Sequence, residues 1–123
     1  MTNQEMFDKV CAHLLTQLST SLDDTGTCLY RGPDGKKCAI GCLIPDELYT
    51  VDIEMKEVRT ILDYPVFNSE LSAYLSHFNK DLLIRLQKTH DAYPPTEWYS
   101  DLLRVAGQFD LTFNPPITQA EAS

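Results

Sequence analysis

Three cysteines crowd into one short run of this chain. Cys28, Cys38 and Cys42 follow a C-x9-C-x3-C spacing, and Cys11 lies upstream. Thiolates are zinc ligands, and a structural zinc site closes with four ligands in a tetrahedron. The fourth would come from Cys11 or from one of His13, His77 and His90. Zinc ribbons and knuckles present paired C-x2-C hooks, which are absent here, so zinc is the lesser reading and buried thiols that pack the segment are the greater. A disulfide between Cys28 and Cys38 needs the two to face each other, and a reducing compartment opposes it.

The same cysteines admit nucleophilic chemistry. Cys42 is the best placed, because a short helix is expected over Leu43–Tyr49 and amides at a helix start lower a thiol's pKa. His90 and Asp91 would supply a base and a group to orient it. Neighbouring residues on a helix point about 100° apart, so Asp91 can turn back to His90 only if the helix ends there, which Pro94 permits. The simpler role for His90 is to continue the Leu83–Leu86 face near its helix end. No phosphate-binding glycine loop, dinucleotide fingerprint, HExxH or GxSxG motif is present.

Binding chemistry draws on other residues. Tyr30, Arg31, Lys36 and Lys37 form an aromatic and basic cluster suited to phosphate or a nucleobase, as in a nucleotide-like ligand. Between positions 46 and 63 the sign reverses. Asp46, Glu47, Asp52, Glu54, Glu57 and Asp63 outnumber Lys56 and Arg59, giving a surface for a basic protein partner whose association would be fast and salt-sensitive. The ordinary alternative is a solvated acidic face, and no spaced Asp/Asn/Gly calcium loop occurs.

Local elements must position these groups. Residues 27–31 and 37–41 are short apolar runs joined by Gly32-Pro33-Asp34-Gly35, which is turn chemistry and predicts a β-hairpin near residues 27–41. An isolated hairpin is marginal in water, so it has to rest on helices. The clearest of these spans Thr2 to Leu18, with a Thr2/Glu5 capping box and Phe7, Val10, Cys11, Leu14, Leu15 and Leu18 along one face. His13 falls off that stripe, where solvent is expected. A weaker pattern predicts a helix from about Ile53 to Leu62. Asn68 and Asn79 cap two more, and Pro94-Pro95 precedes a last one carrying Trp98, Leu102, Val105, Ala106 and Phe109. The expected fold class is α+β: one predominantly helical domain over 1–113, about four to five helices with one hairpin, and a mobile tail at 114–123.

With 123 residues, 43% of them hydrophobic, the chain suits one domain with a real core. A net charge of −8 opposes general binding to nucleic acid, because the ten lysines and arginines are scattered. No apolar run is long enough to span a membrane. The start, MTNQEMFDK, has no secretory pattern, which points to a cytoplasmic location.

The run CLYRGPDGKKCAIGCLIPDELY (28–49), together with HDAYPPTEWYSDLLRVAGQFDL (90–111), resembles a type of small hypothetical protein encoded by bacteriophages, prophages and bacteria. The resemblance implies no reaction, cofactor or catalytic residue. It implies a phage accessory role, such as neutralising a host protein for counter-defence or capturing a host signal molecule. The expectation is therefore a non-enzymatic accessory or inhibitory protein that binds a host protein. Sequestration of a nucleotide-like signal comes second and a cysteine-dependent enzyme third.

Overall fold

A computed structural model of the chain describes residues 1–116, so most of the expected 114–123 tail lies outside the described residues. Among the described residues the regular structure is helical: α1 (Asn3–Gln17), α2 (Val58–Asp63), α3 (Ser69–Leu75), α4 (Lys80–Ala92) and α5 (Trp98–Gln108), with short 3-10 turns between them. The capping box forms at α1, where the Glu5 N–H donates to Thr2 Oγ1 at 3.1 Å and the Thr2 N–H to Glu5 Oε1 at 2.9 Å. The apolar stripe from Phe7 to Leu15 is buried, joined by Met6. Leu18 departs from it: as the left-handed residue that ends the helix (φ 47°), it turns outward and is exposed. Asn68 and Asn79 cap as expected, each side chain accepting an N–H at 3.0 Å, from Leu71 and Leu82.

The expected hairpin does not form, and the fold is all-α rather than α+β. The chain does reverse at Gly32–Gly35, but only isolated bridges pair Leu22 with Cys28 and Arg31 with Lys37. Side chains take the bonds that a strand ladder would have used. Glu54 accepts the N–H groups of Tyr30 (2.8 Å) and Arg31 (3.1 Å), Gln17 that of Lys37 (3.0 Å), and Gln87 that of Ile40 (3.2 Å). Two further expectations shift. The helix over 43–49 is replaced by two 3-10 turns, Gly41–Leu43 and Asp46–Leu48, and the 53–62 helix begins only at Val58.

The core is built on α4 and α5, with α2 against α4 and α1 against α5 and the 41–43 turn. Trp98 sits fully buried, its Nε1–H donating to the Tyr93 carbonyl at 2.9 Å. Asp101 is also fully buried, and its carboxylate takes a two-pronged pair from Arg85 (2.7 and 2.9 Å), the Thr89 hydroxyl (2.7 Å) and Arg104 (3.2 Å). Gly41 is required by packing, since a Cβ there would overlap the Tyr30 carbonyl. The C-terminal segment closes onto α1: Gln4 exchanges two bonds with the Thr112 backbone (2.8 and 2.9 Å), and Phe113 packs on Phe7 and Tyr99.

Candidate functional site

A groove of about 450 Å³ opens between residues 27–30, residues 55–59 and one face of α4. Its walls are stitched together by the bonds that displaced the hairpin. Glu54 holds the Tyr30 and Arg31 amides and also accepts the Tyr49 hydroxyl (2.7 Å), while the Tyr30 hydroxyl donates to the Lys56 carbonyl at 2.6 Å. Met55, with φ at 66°, reverses the chain at the groove edge. Ile84, Gln87, Lys88 and Asp91 follow at three- and four-residue steps along α4 and form the opposite wall.

Cys28 and Asp91, which line the groove, and the buried His90 bring ligand-type atoms within 4.8 Å of one another. His90 is buried, stacked on Trp98 at 5.6 Å, and both of its nitrogens are committed. The Ser21 N–H can only donate, and it reaches Nε2 at 3.0 Å, so the ring proton sits on Nδ1 and is given to Asp91 Oδ1 at 2.7 Å. Both residues lie in the last turn of α4, which ends at Ala92. A metal taken by Nδ1 would have to displace that proton; Nε2, protonated in its place, would confront the Ser21 N–H. Ligation therefore costs the Ser21 bond as well as the Asp91 bond. Burial, and then a hydrogen bond to Asp91, push the Cys28 thiol up to about 12.

The three-cysteine zinc arrangement, the lesser reading of the sequence, is not assembled. Among the described residues, Cys28, His90 and Asp91 form the one cluster of three or more such groups, and Cys38 and Cys42 stand outside it. Cys38 is buried at the groove floor, with its sulfur accepting the Gly41 N–H at 3.3 Å. Cys42 lies within the 41–43 turn and donates to the Ala39 carbonyl at 3.1 Å. No α-helix starts behind it, and burial pushes its thiol up to about 12, the direction opposite to activation. Cys11 is core, likewise raised to about 12 by burial, and His77 is exposed. His13 is half-buried rather than solvated; it bonds the Lys37 carbonyl at 2.8 Å, and burial lowers its pKa.

In the aromatic and basic cluster, Tyr30 and Arg31 are engaged internally. Tyr30 belongs to the core, and burial raises its hydroxyl pKa. Arg31 turns inward to the Ile44 carbonyl (3.2 Å) and Asp46 (2.7 Å), with its guanidinium 4.4 Å from the Tyr49 ring centre. Lys36 and Lys37 are half-buried. Of the acidic residues, Glu54 is consumed by its three internal bonds, and Asp46 pairs with Arg31. Glu47, Asp52 and Glu57 are exposed. What sequence reasoning missed lies beside them: Val51, Met55, Tyr64 and Val66 are exposed apolar side chains. The signal was available in the Tyr64-Pro65-Val66-Phe67 run, apolar residues tied to a proline in an acidic context.

The chain matches no protein-family model, no curated protein and no solved structure. None of these comparisons supports the expected likeness of residues 28–49 and 90–111 to small phage-encoded proteins. Among the described residues no helix is long and apolar enough to cross a membrane.

Proposed function

We propose that this chain is a non-enzymatic binding protein that docks a basic protein partner on the face formed by residues 47–70. The observation that carries the reading is exposure: Val66 is 86% exposed, Val51 73%, Met55 64% and Tyr64 61%, within sixteen residues that also present Asp52 and Glu57 to solvent. Large apolar side chains grouped at a surface mark an interaction site more than they serve a solvated one. The backbone beneath is held in place. Asn68 Nδ2 bonds the Leu48 carbonyl (2.7 Å) and Thr50 Oγ1 (3.2 Å), Lys56 Nζ lies 4.4 Å from the Phe67 ring centre, and Val66 and Phe67 share a depression with Glu47 and Glu70. An apolar centre with an acidic rim selects a partner with an apolar centre and a basic rim.

The reading keeps the accessory or inhibitory role that the phage-like resemblance implies, with a host protein as the partner and the bacterial cytoplasm as the place. The raised thiol pKa values support a binding role over cysteine chemistry. The test is a photo-crosslinking residue placed at Val66, with Leu103 on α5 as the control position, in a bacterial lysate. A covalent adduct to one basic protein is expected from position 66 alone. It should fade at high salt and in the variant Glu47→Gln/Asp52→Asn/Glu57→Gln. Equal adducts at both positions, an acidic partner, or indifference to salt and to the triple substitution would refute the reading.

A further inference from the structure

We infer that the groove between residues 27–30, residues 55–59 and α4 is a second binding site, one that takes a small aliphatic monocarboxylate. Its volume, about 450 Å³, falls in the range of about 300–1,000 Å³ typical of small-molecule sites. The polar groups of its inner wall have nothing left to offer. Gln87 is engaged at both ends, to the Ile40 N–H (3.2 Å) and to Asp91 (2.8 Å). The Tyr30 hydroxyl is given to the Lys56 carbonyl.

Arg59 and Lys88 are different. Both line the groove, and neither has an ion pair or a side-chain hydrogen bond among the described residues. The chain carries 18 acidic residues against 10 basic ones, and its other three arginines, Arg31, Arg85 and Arg104, all reach a carboxylate. Lys56, also in the wall, gives its ammonium to the Asp52 carbonyl. Two cations left open beside a cavity in so acidic a protein fit an anion arriving from outside.

The remaining lining decides which anion. Leu29, Met55, Val58, Ile84 and Ala92 give aliphatic walls, and the one aromatic residue there, Tyr30, is buried in the core. Glu57 and Asp91 also line the groove and would repel a second or third negative charge, which selects against nucleotide polyphosphates. One carboxylate at Arg59 and Lys88 with an alkyl chain along α4 uses both open cations and the aliphatic walls. The groove shares residues 55–59 with the proposed docking face, but its carboxylate is held by Arg59 and Lys88, neither of which the docking reading uses.

The test is titration of the intact protein with octanoate, followed by amide-resolved NMR, with acetate as the head alone and 1-hexanol as a neutral alkyl body. Saturable octanoate shifts are expected at Leu29, Val58, Arg59, Ile84 and Lys88, with acetate far weaker. The double variant Arg59→Gln/Lys88→Gln, altered only at exposed positions, should lose affinity by about tenfold or more while its binding of hexanol is unchanged. The inference is overturned by octanoate shifts outside the groove only, by hexanol binding as tightly as octanoate, or by a double variant that binds octanoate as the native chain does.

Discussion

Replacing Glu54 with glutamine should unpick the segment that carries the groove. The substitution keeps the side chain's size and removes one acceptor oxygen from a carboxylate that takes the Tyr30 N–H on Oε1 and both the Arg31 N–H and the Tyr49 hydroxyl on Oε2. Whichever way the new amide turns, one backbone N–H faces an NH₂ group. The best arrangement keeps the amide oxygen at the Oε2 position and abandons Tyr30, whose side chain is core. A hydrogen bond to a charged group contributes about 1.5–3 kcal/mol, and an orphaned buried donor costs about 1–3 kcal/mol. With the surviving bonds weakened by loss of charge, the net destabilisation should be about 2–4 kcal/mol, a large part of the roughly 5–15 kcal/mol that holds a domain folded. Urea unfolding reads this directly: for a slope near about 2 kcal/mol/M the midpoint should fall by about 1–2 M with the slope unchanged. Amide exchange should accelerate most at Tyr30 and Arg31. Tyr49→Phe removes only the hydroxyl contact and should cost about 1 kcal/mol or less. A Glu54→Gln stability within about 0.5 kcal/mol of the native protein would refute the account, because it would mean that those two amides are satisfied elsewhere.

Two other outcomes test the interior. Asp101→Asn should cost about 3–5 kcal/mol at pH 7, since it leaves the Arg85 guanidinium beside a neutral group in the core. Burial opposes ionisation of Asp101, but the bonds from Arg85, Thr89 and Arg104 outweigh it and hold its carboxyl below the usual value, so its stabilisation is complete above about pH 3.9 and is lost as pH falls toward the lower folded value. The stability gap between the native protein and the Asp101→Asn variant should therefore shrink on acidification below about pH 4, and a gap unchanged down to about pH 2 would refute the assignment. Cys28 and Cys42, with thiols raised to about 12, hold a thiolate fraction of about 10⁻⁴ at pH 8, so iodoacetamide should label them on the order of 10³-fold more slowly than an unperturbed thiol. Mass spectrometry of the time course decides it, and labelling of either at the rate of a free thiol would show the environment to be misread.

The helices were legible because their signals are local. Thr2 with Glu5, Asn68 and Asn79 each cap through bonds spanning three residues, and the α1 stripe needs nothing beyond its own period. The 27–41 segment misled for the same reason. Its turn chemistry is real and the chain does reverse, yet whether two flanks pair depends on what else reaches their amides, and here Gln17, Glu54 and Gln87 arrive from elsewhere in the chain. The candidate site was legible in its parts but not in its grouping. His90 with Asp91 could be read from adjacency; that Cys28 rather than Cys42 joins them is set by how the 27–30 segment lies across α4. Arg59 and Lys88 carry no sequence signal at all, because an unpaired cation is defined by the partners it lacks.

The closing of the C-terminal segment and α5 onto α1 bears on how the chain comes to be folded at all. α1 is made first and its packing partner α5 last, with Trp98 following Asn3 by 95 residues. At about 5–20 residues per second a nascent chain waits about 5–20 s between the two. Throughout that interval the buried face of α1 can pack on the 41–43 turn but not on α5. The helix most strongly specified by its own sequence thus stays only partly covered during synthesis, and a ribosome stalled short of residue 98 would present its α5-facing side as an open apolar surface.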